Sequence, residues 1–308
     1  MMEKTDVINW LLSGDPSIRW QVMRDIIHCE EITIEQERRK TISEGWGARL
    51  LSYQDEDGMW NGQVYSPKWV STTYSLLLLK EIGMHVIPSV SKACERLYTI
   101  GIYKDEEIRF SKNQALRDIG VSAMVLEILG FFGYQPVSLI PLTRFLIAYQ
   151  KNSGEWFYDD KPGAEKYAFE TTFLALKALQ MIKNNRRLCI DGLEESENKG
   201  REFLLRFHLY KDLKTQQPMK SQWVRFSFPN YWFYDLLSVL DYFRETDVRD
   251  ERMQEAIHIL RQKQKHDGMW HLPAPHAGKV FFEMEEVGKP SRWNTLRALR
   301  ILSWWDSL

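Results

Sequence analysis

The chain has 308 residues, 44% of them hydrophobic, and 41 Lys and Arg balance 42 Asp and Glu to a net charge of −1. Without an excess of basic residues there is no electrostatic reason to expect a nucleic-acid partner. Three cysteines, Cys29, Cys94 and Cys189, are too few and too scattered for a disulfide framework or a zinc site of the CxxC type.

In chain order, residues 4–12 predict a short amphipathic helix that Ser13 and Gly14 end. Asp15 is placed to cap a second helix whose first turn holds Pro16. In SIRWQVMRDIIH, Ile18, Val22 and Ile26 fall on one stripe, the mark of an inner helix, and the charged run EEITIEQERRKTISEGW reads as its solvated outer partner. The stretch QDEDGMW follows, with Gln54, Asp57, Gly58 and Trp60. It returns at Gln264, Asp267, Gly268 and Trp270, and with Ser153 for the acid at Gln150, Gly154 and Trp156. Each copy predicts a helix ending at Gln, a left-handed Gly turn and a Trp folded over the helix end.

A second inner helix follows Ser71–Thr73 and stops at Gly83, with an outer helix from about Pro88 to Ile100. The third pair runs from about Leu116 to Phe131 and from Pro136 to Gln150, and the fourth inner helix from about Tyr167 to Ile182. NNRRLCIDGLEESENKG reads as an exposed loop before the outer helix REFLLRFHL; fifth and sixth inner helices follow Pro229 and Pro290. The Gln residues lie 96 and 114 residues apart, twice a helix-pair period, so two intervening units keep the period without the motif. Six inner and about six outer helices make a closed (α/α)6 toroid, expected as one domain over 1–308.

This Gln-to-Trp repeat resembles that of squalene cyclases, other class II terpenoid cyclases and protein prenyltransferase β subunits. A closer resemblance, carried by WLLSGDPSIRWQVMRDI, EGWGARLL, YSPKWVSTTYSLLLL and EMEEVGKPSRWNTLRALRIL, is to short single-ring bacterial proteins of that superfamily. The resemblance implies an all-α toroid and an enzyme acting on an isoprenoid or other apolar chain. Many such relatives carry Cys, Cys and His where this chain has Gly120, Tyr158 and Glu170, and the Asp-x-Asp-Asp signature of the cyclases is missing.

In a closed ring, the loops before the inner helices surround one mouth. Asp118, Asp159, Glu170, Asp235 and Glu285 are therefore the candidate acids and bases, and Trp69, Arg225, Tyr231, Trp232, Lys289, Arg292 and Trp293 the candidate ligand contacts. Acids at helix starts also serve as caps. Asp55, Glu56 and Asp57 read as turn residues, and His266, His271 and His276 as solvated loop histidines. No metal or cofactor is expected, Mg²⁺ entering only if the substrate is a diphosphate. Two other functions stay open: a non-catalytic toroid binding a hydrophobic ligand or protein partner, and a carbohydrate-processing enzyme with two carboxylates in an aromatic cleft. MMEKTDVINWLL lacks a signal-peptide layout and no apolar run spans a bilayer, so a cytoplasmic protein is expected, with peripheral membrane contact and oligomeric state left open.

Overall fold

The computed structural model describes residues 4–110, 117–158, 167–185, 188–273 and 277–307. Its helices are α1 (Lys4–Leu12), α2 (Pro16–Val22), α3 (Glu31–Arg39), α4 (Gly45–Leu51), α5 (Thr72–Ile82), α6 (Pro88–Gly101) and α7 (Ile119–Phe131). They continue with α8 (Pro136–Ala148), α9 (Ala168–Lys183), α10 (Leu193–Arg206), α11 (Leu236–Glu245), α12 (Gln254–Gln262) and α13 (Arg292–Asp306). A two-residue hairpin, Ile102–Tyr103 against Glu107–Ile108, is the one sheet among the described residues.

Helices α2, α5, α7, α9, α11 and α13 form the inner layer of a toroid, and the others lie outside them. Inner helices touch neighbours on both sides, which is why α5 and α7 are buried almost end to end and read as near-continuous apolar runs. The ring closes where α13 packs on α2. There the guanidinium of Arg300 reaches Gln21 Oε1 at 2.9 Å and Asp25 Oδ2 at 3.0 Å. The inner helix expected at 17–28 is α2 followed by a π-helical turn over Met23–Ile27. One expectation fails: the stretch read as a loop before REFLLRFHL supplies the first turns of α10. Its Glu194 and Glu195 sit at the N-terminal end, where the dipole favours them, and its Leu193 and Glu197 are buried.

The repeated turns share three hydrogen bonds. Trp60, Trp156 and Trp270 are all at most 1% exposed. Each indole N–H donates to a carbonyl ten residues back, on Leu50, Leu146 and Leu260, at 2.7–2.9 Å. Each backbone N–H donates to a threonine hydroxyl at the start of the next inner helix, Thr72, Thr172 and Thr295. Gln54, Gln150 and Gln264 donate to the carbonyls of Gly58, Gly154 and Gly268 at 2.8 Å. One motif thus joins an outer helix end, a turn and the next inner helix start. Asp55 and Asp57 accept from Gly62 N and Met59 N, which is turn chemistry.

The three glycines have φ of +91°, +104° and +82°. They differ in surroundings: a Cβ on Gly154 would sit 2.3 Å from the Lys199 carbonyl oxygen, whereas one on Gly268 would meet nothing closer than Val7 at 3.4 Å. Gly268→Ala is expected to destabilise by about 1 kcal/mol from the left-handed backbone alone, and Gly154→Ala by at least about 2 kcal/mol, since backbone must also move. Urea midpoints would check this, and equal shifts in the two variants would remove the steric argument.

Candidate functional site

The loops leading into the inner helices meet at one end of the ring, as the topology requires. Two adjoining cavities of about 280 and 310 Å³ lie there and share Tyr65, Val121 and Tyr158. Glu170, Tyr167 and Trp232 complete the first, and Asp118 and Phe110 the second. Together they form a crevice with aromatic walls and two carboxylates, each 7% exposed.

Helix starts position both acids. Asp118 caps α7, its Oδ1 accepting from Val121 N at 2.9 Å, while its Oδ2 accepts from the Tyr158 hydroxyl at 3.2 Å. Glu170 lies in the first turn of α9; Oε1 is held by the ammonium of Lys220, and the buried Oε2 makes no hydrogen bond. The indole N–H of Trp232 is also buried without an acceptor, and Lys68 Nζ stands 4.8 Å above its ring. Unused polar groups on a concave aromatic surface are what a polar ligand needs for orientation. Gly120 lines the same cavity, so Gly120, Tyr158 and Glu170, far apart in the chain, converge on one space.

The other candidate residues are placed elsewhere. Trp69 and Tyr231 stack at 4.4 Å beside a separate 160 Å³ cavity, and Trp69 is pinned by its N–H to the Ala277 carbonyl at 2.9 Å. Glu285 lines that cavity, but its carboxylate is occupied by the Ser291 hydroxyl and the backbone N–H groups of Arg292 and Trp293, a helix cap. Trp293 is core, stacked on Phe228 at 4.3 Å. Arg292 lies over the Trp10 ring, and Arg225 and Lys289 are exposed away from the crevice cavities. Asp159 and His276 lie outside the described residues. His271 is held by Asp267 at 2.6 Å, and no metal-binding cluster occurs among the described residues.

Asp235 caps α11 through Ser238 N at 2.7 Å, with Oδ2 buried and unpartnered. Burial pushes its pKa up from 3.8 to about 6, against the pull of Arg297 and Ser238. Between those values the native state keeps a proton that the unfolded chain releases, so the carboxylate costs stability as pH rises through about 6. Asn caps a helix as well as Asp does. Asp235→Asn is therefore expected to stabilise by about 1–2 kcal/mol at pH 7, with the gain vanishing near pH 4. A variant less stable than the parent at pH 7 in thermal unfolding would contradict this.

A third cavity, of about 370 Å³, lies beside the middle and C-terminal turns of the inner helices, away from the mouth. Phe228 and Tyr231 line both it and the 160 Å³ cavity, so their loop forms the partition. Its walls are ionic. Glu127 accepts from Lys80 at 2.7 Å and faces Lys177 at 3.1 Å. Asp241 is ringed by Arg300, Arg244 and Arg297, and Asp25 by Arg300 and Arg24. Sequence reasoning missed this set, as it missed Lys220, Lys68 and Tyr167 in the crevice. Its signal was an isolated charge inside three apolar runs, Glu127, Lys177 and Asp241, and the pair Arg297 and Arg300 inside a fourth.

No family model and no curated protein matches the sequence. Among solved structures, the chain is similar to a glycoside hydrolase from family 105 of C. acetobutylicum ATCC 824, with 12% identity, a TM-score of 0.50 and full coverage of both chains. That likeness shows the fold, an all-α toroid. It also corrects the assignment to squalene cyclases and prenyltransferases, because the toroid matched along the full chain is a glycoside hydrolase. The expected terpenoid-cyclase activity on an isoprenoid is overturned with it. No helix among the described residues is long and apolar enough to cross a membrane.

Proposed function

We propose that the protein is a carbohydrate-processing enzyme that cleaves glycosidic bonds in the crevice between Tyr65 and Trp232, with Asp118 and Glu170 as its working carboxylates. The observation that carries this is the convergence of two buried carboxylates with Tyr65, Tyr158, Tyr167 and Trp232 on one space. Glycoside cleavage needs that pairing: one carboxyl group protonates the leaving oxygen and a second acts on the sugar carbon or on water. Aromatic rings offer flat apolar faces to the C–H side of a sugar, and the free Glu170 Oε2 and Trp232 N–H suit its hydroxyls. The likeness to a family 105 glycoside hydrolase supports the same chemistry.

In this reading Asp118 acts in its protonated form, passing its proton to the Tyr158 oxygen as that hydroxyl gives its own proton to the leaving group, and Glu170 Oε2 takes the second carboxylate's role. No metal or other cofactor takes part. The experiment is release of reducing ends from a panel of neutral and uronic-acid oligosaccharides by the parent protein, Asp118→Asn and Glu170→Gln. Turnover by the parent that both variants lose supports the proposal. No turnover by the parent on any member of the panel, or full turnover by both variants, would sink it.

A further inference from the structure

We infer that the ring carries a second binding site, behind the Phe228–Tyr231 partition, for a small hydroxycarboxylate. Its volume of about 370 Å³ lies within the range of ligand-sized clefts, about 300–1,000 Å³. A purely structural ion network would satisfy every polar atom. This one pairs all six of its cations with carboxylates, yet it leaves specific polar atoms without partners.

The decisive detail is at Ser238. Its Oγ accepts from Arg297 Nη2 at 2.8 Å and from Asn230 Nδ2 at 2.6 Å, which sets the guanidinium and the amide side by side on the cavity wall. Arg297 is 5% exposed, yet its Nε has no hydrogen-bond acceptor; the nearby Asp241 Oδ2 is 3.5 Å away. Asn230 Oδ1 is buried without a donor. A cationic donor next to a neutral acceptor, both unused, matches a carboxylate next to a hydroxyl: the first takes the guanidinium N–H, the second donates to the amide oxygen. Lys177 faces the same space and adds positive charge, while the rings of Phe173, Phe228 and Tyr231 cover a short carbon skeleton. An aldehyde or a simple sugar would leave Arg297 Nε without an anionic acceptor. A simple fatty acid would leave Asn230 unpaired.

The test is isothermal titration of the intact protein with malate and gluconate, with propionate and glucose as the carboxylate-only and hydroxyl-only controls. Malate or gluconate should bind saturably at one site, and both controls at least about tenfold more weakly, the worth of one lost charged or buried hydrogen bond. Arg297→Gln should weaken that binding at least about tenfold. Because Arg297 also faces Asp241, Asn230→Ala is the second variant, and it should erase the preference for the hydroxyl over propionate. Trp232→Ala, in the mouth crevice, should leave binding of malate and gluconate unchanged. Failure of the parent to bind either hydroxycarboxylate would overturn the inference, as water alone would then fill the cavity. So would binding lost in Trp232→Ala but kept in Arg297→Gln or in Asn230→Ala.

Discussion

Asp241→Asn is expected to destabilise the folded protein by about 3–5 kcal/mol, the usual result of removing one partner from a buried ion pair. Asp241 on α11 takes Arg300 through two bonds and Arg244 at 2.7 Å, with Arg297 3.5 Å away. Its amide would leave three buried or half-buried guanidinium groups facing one another with less counter-charge. Arg300 also holds Gln21 and Asp25, so the loss falls on the seam between the last inner helix and the first. The effect should depend on pH. Burial opposes ionisation of Asp241, but Arg300, Arg244 and Arg297 outweigh it and hold the carboxyl well below the usual carboxylate range. Below about pH 4 the unfolded chain takes up a proton here that the native state refuses, so this stabilisation is full above about pH 4 and fades as pH falls. Urea unfolding at pH 7 and pH 3 would show a large gap that narrows in acid; a gap under about 1 kcal/mol at pH 7 would mean that the network is not holding the seam.

Asp118→Asn and Glu170→Gln are each expected to lower glycoside turnover by at least about 100-fold, the ordinary worth of a general acid or base. Stability should change little, by about 0.5 kcal/mol or less, because Asn caps α7 as Asp does and Lys220 is exposed enough to turn to water. Tyr158→Phe removes the hydroxyl on Asp118 without touching the cap, so a smaller loss of about tenfold is expected, carried by kcat rather than KM. A rise in KM alone in all three would mean that the crevice binds sugar without these groups entering the chemistry.

Much of the architecture was legible because its signals are local. Gln54 reaches a carbonyl four residues on, and Trp60 one ten residues back, so QDEDGMW contains most of the partners its turn needs. The left-handed glycines followed from chirality alone, and the helix pairs from spacing. The same locality explains the misreading of function: the repeat belongs to the scaffold, and scaffolds host unrelated chemistries. The α10 boundary was missed because acids and Asn favour both loops and helix starts.

What the sequence by itself determined is the repeat turn, the alternation of inner and outer helices, and the gathering of acids at one end of the ring. These depend on hydrogen bonds and apolar periodicity within about one repeat. Only the tertiary structure decided that Asp118 and Glu170 share a crevice, that Asp235 and Glu285 cap helices, and that Trp293 lies in the core. It alone showed that the charges inside four apolar runs face a common cavity. The reason is geometric: Arg300 and Asp25 are 275 residues apart in sequence but 3.0 Å apart in space. Such a pairing exists only after the ring has closed, and no periodicity within one helix encodes it.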